Sequence, residues 1–484
     1  MASELDAIVI GAGFAGLTAA IKLKEAGFGR LVVLEKGDRI GGTWRENTYP
    51  GACCDVPSRL YSLSFAPNPE WSRAFSPQAE IRDYMERVAR DFGVSGLFRF
   101  NAEVETAVWD NAAGLWTVTV KGGETLSAPV LVSGLGQLNK PGYAGIPGRE
   151  TFKGESWHSA GWRHDVDLTG KTVACIGAGA SAIQYIPEIA KTAGRVIVFQ
   201  RTPNYVVPRL DKPFSDFEKW LFRTLPPVDQ ALRWFIWKMM DLRFNAFKQG
   251  TKAAETFRTQ ALAYLDQVVT DPVLKAKLTP DYPIGCKRVL VSDDYYQAMM
   301  RPNVELVTEA VAAVTPKGVK TANGAEQACD VVIYGTGFVT TDFIAPVEIV
   351  GADGKRLNEA WKDGAEAYLG VTVAGFPNLF MLYGPNTNLG HNSIIVMIEA
   401  QVGYVVEAMK TLKARGARAM TVTDAAFRRF NVELQADLDK TAWAGSCSSW
   451  YKTAAGKITN NWGGDTATYR RLMKQPVMAD YAIR

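Results

Sequence analysis

Two glycine-rich loops in this 484-residue chain have the spacing needed to bind the phosphates of nucleotides. The first spans residues 11–16 and reads GAGFAG, and the second spans residues 177–182 and reads GAGASA. Each follows an apolar run that predicts a buried strand, and each opens a segment that predicts a helix. In such a unit the glycines let the backbone approach a pyrophosphate, and the helix N-terminus offers free N–H groups to it. The sequence therefore predicts two dinucleotide sites.

The residue that ends the second strand of each unit differs in charge. Glu35 ends the strand of the first unit, and Arg201 follows the strand of the second, each at the same distance from the first glycine of its loop. A carboxylate accepts hydrogen bonds from ribose hydroxyls, whereas a guanidinium suits a 2′-phosphate. The first site is thus predicted to take the adenosine end of FAD or NAD, and the second NADPH. A solvated surface cation is the alternative for Arg201.

Three further charged residues lie where they can do chemistry. Asp55 lies in a loop of residues 40–65 that is rich in Gly, Pro and aromatic side chains, and it either caps a turn or orients a group beside a cofactor. Lys287 and Arg288 are adjacent and precede an apolar strand. Adjacent basic residues are usually solvated, so the spacing of these two does not show whether they are an ordinary surface pair or part of a binding or catalytic site.

The number and spacing of cysteines and histidines narrow the range of possible reactions. The three histidines are too scattered to predict a metal site, and the six cysteines form no CxxC pair, so we expect reduced thiols. FAD with NADPH implies hydride transfer to the flavin. A disulfide reductase would then need a nearby redox pair, and vicinal Cys53 and Cys54 make a poor one. Oxygen is therefore the leading acceptor, with a partner protein as the alternative.

Composition excludes several other classes. The chain is 47% hydrophobic and 21% charged, as in a soluble globular protein, and its net charge of +4 predicts no nucleic-acid binding. The chain enters its first strand almost at once, so no signal peptide is apparent. The glycines and polar residues of residues 6–23 favour a strand, turn and helix over a membrane span. We expect a cytoplasmic protein without stable membrane insertion.

The elements that must position these residues predict an α/β fold with two Rossmann-like dinucleotide-binding domains and a helical insertion in the second. Residues 75–92 and 393–414 are predicted as helices, and residues 102–121 as a hairpin. Residues 231–240 favour buried helix packing over a membrane-surface face. The predicted domains are residues 1–139 and 342–484 for FAD, 140–206 and 283–341 for NADPH, and 207–282 for the insertion.

Two signatures resemble one known family. Phe152, Gly154, His158 and Trp162 match the FxGxxxHxxxW pattern of type I Baeyer–Villiger monooxygenases, and residues 41–55 are similar to that family's second signature. GQLNKP, QRTP, GTGF and SWY also occur in family order, so the resemblance covers essentially the whole chain. The related enzymes that oxidise nitrogen and sulfur usually carry Tyr at the last signature position.

The resemblance implies FAD and NADPH as cofactors, and O2 with a small-molecule ketone as partners. The product would be an ester or lactone formed through a C4a-peroxyflavin, and no obligate protein partner is expected. The alternatives are a flavin monooxygenase that oxidises nitrogen or sulfur, and an FAD/NADPH reductase that serves a protein acceptor.

The resemblance also implies residue roles. Arg288 would lie by the flavin C4a, oriented by Asp55, and these two are the expected catalytic residues. Trp450 would lie in a substrate or nicotinamide loop, and His158 would couple domains and not act as a base. The residues expected to bind the cofactors are Gly11, Gly13, Phe14, Ala15, Gly16, Glu35, Lys36, Gly42, Thr43, Trp44, Asp55, Tyr61, Val104, Gln137, Gly177, Gly179, Ala180, Ser181, Ala182, Gln184, Arg201, Thr202 and Lys287.

Overall fold

The computed structural model describes residues 5–340, 343–344, 346–447 and 449–484. Its strands are β1 (Ala7–Ile10), β2 (Leu31–Leu34), β3 (Phe98–Arg99), β4 (Val104–Asp110), β5 (Leu115–Val120), β6 (Thr125–Ala128), β7 (Leu131–Ser133), β8 (Glu155–His158), β9 (Thr172–Ile176), β10 (Arg195–Phe199), β11 (Val206–Val207), β12 (Leu290–Val291), β13 (Val304–Val307), β14 (Val311–Thr315), β15 (Gly318–Thr321), β16 (Glu326–Ala328), β17 (Val331–Tyr334), β18 (Glu348–Val350), β19 (Leu379–Met381), β20 (Met420–Val422) and β21 (Tyr481–Ile483).

The α-helices lie between and around these strands. They are α1 (Phe14–Glu25), α2 (Thr43–Glu46), α3 (Gln78–Asp91), α4 (Ala182–Ile189), α5 (Asp216–Thr224), α6 (Pro226–Leu242), α7 (Lys252–Val268), α8 (Pro272–Leu278), α9 (Tyr295–Met299), α10 (Leu357–Ala360), α11 (Ile394–Arg415), α12 (Asp424–Leu438) and α13 (Thr466–Leu472).

Two parallel sheets form the centre of the fold. The first has the strand order β19-β7-β1-β2-β3, and the second has the order β13-β10-β9-β17-β8. The central strands β1 and β9 are continuous apolar runs that lie inside their sheets, as expected for parallel strands covered by helices on both faces. Each sheet includes strands from a later part of the chain. The predicted α/β class with two Rossmann-like units is confirmed.

Both glycine loops are shaped by a neighbouring strand. Gly11 has φ +97°, and a Cβ there would lie 2.6 Å from the carbonyl oxygen of Gly134. Gly177 has φ +99°, and a Cβ there would lie 2.5 Å from the carbonyl oxygen of Gly335. A side chain at either position would therefore be strained and would clash with backbone. The turns after β7 and β17 thus hold the two loops in the same way.

Helices fill the segment between β11 and β12. The sequence predicts helices over residues 216–225 and 228–248, and the structure has α5 and α6 there, followed by a short 3₁₀ turn. The boundary of α5 follows from a capping box, in which Ser215 and Glu218 bond each other's backbone N–H. The helices α7 and α8 were not predicted individually. The predicted helices at residues 75–92 and 393–414 are confirmed as α3 and α11, and the predicted hairpin as β4 and β5.

Two expectations need correction. Residues 231–240 do not bury their whole apolar side, because Trp234, Phe235 and Met239 are exposed. The cysteines are not all reduced, since Cys286 and Cys447 form a disulfide between two loops that the fold brings together. The segment that contains the FxGxxxHxxxW signature, for which no element was predicted, supplies strand β8 of the second sheet.

Candidate active site

A cavity of about 300 Å³ lies where the two glycine loops approach each other. It is bounded by the carboxyl ends of β1 and β7, by the loop that contains Asp55, and by the start of α4, which is where open α/β sheets bind ligands. The predicted site residues that line it are Gly11, Gly13, Phe14, Ala15, Glu35, Lys36, Gly42, Thr43, Trp44, Asp55, Tyr61, Val104, Gln137, Ala180, Ser181, Gln184 and Arg288. Both predicted dinucleotide units therefore contribute to one cavity.

Arg288 and Asp55 form an ion pair in the wall of this cavity. Arg288 Nη2 donates a hydrogen bond to Asp55 Oδ2. The negative charge of Asp55 raises the pKa of Arg288 above its ordinary value, and burial opposes this only in part. About a third of the arginine side chain, 34%, remains accessible, and Arg288 lines the cavity. The guanidinium is therefore permanently charged, fixed in direction on one side and open to a ligand on the other.

Gln184 positions the loop that contains Asp55. The Tyr49 hydroxyl and the Cys53 backbone N–H donate to Gln184 Oε1 at 3.0 and 3.3 Å, and Gln184 Nε2 donates to the Cys53 carbonyl at 3.1 Å. Gln184 lies in α4, which belongs to the second glycine-loop unit. This side chain thus links the Asp55 loop to the second dinucleotide unit.

Glu35 faces the cavity, and contacts with neighbouring residues hold its carboxylate in place. The Ala12 N–H donates to Glu35 Oε2 at 2.8 Å, and Arg45 lies 2.7 Å from Glu35 Oε1. These contacts fix the carboxylate at the end of β2 beside the first glycine loop. Trp44 and Tyr61 lie nearby, joined by a 3.0 Å hydrogen bond from Trp44 Nε1 to the Tyr61 hydroxyl.

The residues present fit a bound dinucleotide. Gln137 is 2% exposed, and among the described residues neither its Oε1 nor its Nε2 has a hydrogen-bond partner. Buried amides are rarely left unpaired, so a ligand with both donors and acceptors accounts for this side chain. Gln137 lines the same cavity as the first glycine loop, so its unpaired amide fits a dinucleotide bound there.

The predicted phosphate-binding residues lie outside this cavity and close to each other. Burial lowers the pKa of Lys287, and the nearby positive charge of Arg201 lowers it further, while Asp281 opposes both. Two cations this close repel each other unless an anion lies between them. The structure therefore brings together Arg201 and Lys287, which are far apart in the sequence, and this arrangement suits a phosphate group. The other predicted site residues that do not line the cavity are Gly16, Gly177, Gly179, Ala182, Thr202 and Trp450.

His158 lies between the second sheet and the turn after β17. It is 3% exposed, its Nδ1 accepts from the Ala160 N–H at 3.1 Å, and its Nε2 lies 2.9 Å from the Gly337 carbonyl. Since Nδ1 accepts, Nε2 carries the proton and donates to Gly337. Burial lowers the pKa of His158, which favours this neutral form. Both ring nitrogens are occupied, so His158 is not placed as a general base.

Trp450 is anchored by its backbone. Its carbonyl accepts hydrogen bonds from Thr340 Oγ1 at 3.1 Å and from Asn460 Nδ2 at 2.5 Å, and its ring lies 4.6 Å from that of Tyr451. Tyr451 contributes to the electrostatic surroundings of Arg288. The segment is therefore adjacent to the Arg288 region although Trp450 does not line the cavity.

Sequence reasoning missed part of the cavity wall. Tyr383 donates to Asn388 Oδ1 at 2.7 Å, both residues line the cavity, and Asn392 lines it as well. They lie in the turn after β19, at the end of a parallel strand where ligands bind. Their position just after a strand was the signal that the sequence offered for these residues, because residues 383–392 contain no recognisable motif.

Comparisons with known proteins agree with this geometry. Residues 8–209 match a family model described as pyridine nucleotide-disulphide oxidoreductase. The chain is 45% identical to a Baeyer-Villiger monooxygenase of Streptomyces coelicolor, over 98% of this chain and 92% of the relative. It is 41% identical to a Baeyer-Villiger monooxygenase of Pseudomonas aeruginosa, over 96% and 89%.

A solved structure shares the whole fold. The crystal structure of OTEMO in complex with FAD and NADP superposes with a TM-score of 0.89 at 30% sequence identity, covering 100% of both chains. The predicted cofactors FAD and NADPH are thereby confirmed, and so is oxygen insertion as the reaction. The chain belongs to the Baeyer–Villiger monooxygenases, flavoproteins that insert one oxygen atom beside a ketone carbonyl at the expense of NADPH and O2.

Proposed function

We propose that Arg288 is the catalytic residue of oxygen insertion in this chain and that Asp55 positions it. The observation that carries the proposal is their ion pair in the wall of the cavity that both glycine loops line. Among the described residues, Asp55 is the acceptor that Arg288 contacts, so other N–H groups of the guanidinium are left for oxygen atoms of a ligand.

The proposed role of Arg288 is electrostatic. Adding an oxygen nucleophile to a ketone places negative charge on the carbonyl oxygen. A guanidinium stabilises that charge without giving up a proton, because the Asp55 carboxylate keeps the pKa of Arg288 high. A lysine in its place would keep the charge but lose the planar fork of donors.

The cofactors are proposed to bind along the two glycine loops. Glu35, Gln137 and the first loop would hold FAD, and Arg201, Thr202 and Lys287 would hold the 2′-phosphate of NADPH. When bound, FAD supplies the oxygen-activating chemistry and NADPH supplies the hydride. The remaining task of the protein is to bind the ketone and to stabilise its oxygen.

We propose the domain division given by the sequence, with residues 1–139 and 342–484 around the first sheet and 140–206 and 283–341 around the second. Its support is that β19 joins the first sheet, while β13 and β17 join the second. The boundary at residues 341 and 342 lies outside the described residues. His158 would couple the domains from its position beside Gly337, in the turn that precedes this boundary in the chain.

A cytoplasmic location and a small-molecule ketone with O2 as partners complete the proposal. The free thiols Cys53, Cys54, Cys175 and Cys329 support a reducing compartment. The disulfide between Cys286 and Cys447 is the exception.

The test separates flavin reduction from oxygen insertion. Purified Arg288→Ala is expected to be reduced by NADPH in a stopped-flow experiment without oxygen, yet to form ester about 100- to 1000-fold more slowly in air, the effect of losing one oxyanion donor. Arg163→Ala, which removes an exposed arginine paired with Asp165, is the matched control and should behave as wild type. Normal ester formation by Arg288→Ala would refute the proposed role.

A further inference from the structure

The helix α6 exposes large apolar side chains and buries its acids. A helix on the surface of a globular protein normally turns its apolar side inward. In α6 the side chains of Trp234, Phe235 and Leu242 are 60%, 55% and 53% exposed, while Asp229 and Asp241 are buried. These three apolar residues therefore face outward and both acids face inward, on the side where Met240 is buried and where Ile236 and Trp237 are half-buried.

Specific contacts fix this orientation. Asp229 forms an ion pair with Arg59, and Asp241 Oδ1 accepts hydrogen bonds from the N–H and the hydroxyl of Thr466, both at 2.8 Å. On the same inner side, Met240 packs against Leu60. Turning the helix to bury its apolar side would break these contacts and leave the buried guanidinium of Arg59 without its counter-charge, at a high cost in stability. The outward apolar side is thus a stable feature of the fold.

The preceding helix extends this surface. Phe217 and Trp220 of α5 are 66% and 51% exposed, and their rings stack with centroids 5.8 Å apart. Leu225 and Val228, at the junction of the two helices, are also exposed. We call the exposed apolar side chains of α5 and α6 the apolar ridge. Its members are Phe217, Trp220, Leu225, Val228, Trp234, Phe235, Met239 and Leu242.

The exposed charges beside the α6 part of the apolar ridge are basic. From residue 223 to residue 248, every exposed charged side chain is basic, namely Arg223, Lys238, Arg243 and Lys248, whereas the α5 part begins beside the exposed acid Asp216. Among the described residues, Arg223 has an acidic partner in Glu70. A surface of exposed aromatic and aliphatic side chains flanked by cations matches an interfacial helix on an anionic bilayer.

We propose that the apolar ridge docks this protein peripherally on the surface of an anionic lipid bilayer. No helix in the part of the chain that the structure describes is long and apolar enough to span a membrane, so docking would be parallel to the bilayer plane. A second copy of the chain fits less well, because a two-fold contact through α6 brings Lys238 and Arg243 of both copies together.

Docking would also place the cavity near the bilayer. Asn392, which lines the cavity, donates to the backbone carbonyl of Trp237 in α6 at 3.3 Å. One helix, about 10 Å in diameter, therefore separates the cavity wall from the docking surface. If the proposed ketone oxidation holds, a ketone dissolved in the membrane reaches the site over a short path. This consequence rests on the proposed function, whereas the docking itself does not.

Vesicle flotation tests the docking without turnover. The wild-type holoenzyme is expected to float with vesicles of phosphatidylglycerol and phosphatidylcholine, more weakly at high salt, and not with phosphatidylcholine alone. The double variant Trp234→Gln/Phe235→Gln should bind about 30-fold more weakly. The matched control Val432→Gln/Val477→Gln changes two exposed apolar residues elsewhere, 71% and 53% accessible, and should bind as wild type.

Three outcomes would overturn the proposal. They are no flotation of the wild type, equal loss of binding in the control, and a change from dimer to monomer in the Trp234/Phe235 variant by analytical ultracentrifugation. The last would identify the apolar ridge as a contact between copies. NADPH oxidation with a water-soluble ketone, measured without vesicles, should be unchanged in the variant. That readout shows that the variant is folded, and it separates failed docking from a failed assignment of the reaction.

Discussion

Replacing Lys287 by methionine is expected to weaken the binding of NADPH and to leave the binding of NADH unchanged. The two coenzymes differ by the 2′-phosphate, and Lys287 lies beside Arg201 in the arrangement that suits this group. Methionine keeps the length of the side chain and removes its charge. The contact between Lys287 and the 2′-phosphate would be the same in the bound coenzyme and in the transition state of hydride transfer. Its loss should therefore raise KM while kcat stays near its wild-type value.

The size of the effect follows from the surroundings of Lys287. A hydrogen bond to a charged group contributes about 1.5–3 kcal/mol when it is shielded from water. Lys287 is half-buried, whereas Arg201 is exposed and its contribution is reduced by solvent and salt. Loss of Lys287 should therefore raise KM for NADPH about 10- to 100-fold, and loss of Arg201 should have a smaller effect.

The assay is steady-state oxidation of each coenzyme with a saturating ketone at low and at physiological salt. Lys191→Met removes an exposed lysine that pairs with Glu188 on α4, and it serves as the control. Equal increases in KM for NADPH and NADH in Lys287→Met would show that the lysine acts on the shared part of the coenzymes. No change for either would remove Lys287 from the site.

Three more results are expected. Asp55→Asn keeps the shape of the side chain but removes the charge proposed to orient Arg288, so ester formation should fall about 10- to 100-fold while reduction of the flavin by NADPH is retained; unchanged ester formation would contradict the positioning role. Because its pKa is lowered, Lys287 should lose its proton before an ordinary lysine does as pH rises, so kcat/KM for NADPH should decline early on the alkaline side, and Lys287→Arg should move this decline to higher pH. Thiol titration of the denatured, unreduced chain should find four thiols, and six after reduction; six without reduction would contradict the Cys286–Cys447 bond.

The two dinucleotide units could be predicted because their signals are local. Gly11 and Gly177 each need a left-handed backbone conformation and close approach to a neighbouring turn, so the requirement shows in the residue type itself. The opposite charges of Glu35 and Arg201 likewise show directly in the sequence. Helix α5 was predicted from its helical periodicity, which is also a local signal, and the capping box of Ser215 and Glu218 explains where it begins.

The candidate catalytic pair could not be found from spacing. Asp55 and Arg288 are 233 residues apart, and their contact depends on how the two sheets pack together. The resemblance to a family suggested the pair, whereas the residues alone left Asp55 as a possible turn cap and Arg288 as a possible surface cation. The disulfide joins cysteines 161 residues apart and was missed for the same reason.

The orientation of α6 shows a different limit of prediction from sequence. Helical periodicity locates a helix with an apolar side but does not say which side faces the protein. Here the answer depends on Arg59 and Thr466, which neutralise or bond the two inward acids from distant parts of the chain. The prediction of a buried apolar side was therefore wrong, although the helix itself was placed correctly.

The most direct test of the central claim is turnover under ¹⁸O2 with a panel of ketones and thioethers, with products identified by mass spectrometry. We expect an ester or lactone that contains one ¹⁸O atom per molecule, formed with consumption of NADPH, and loss of this product in Arg288→Ala. A sulfoxide without any ester would contradict the account, as would NADPH oxidation that yields no oxygenated product.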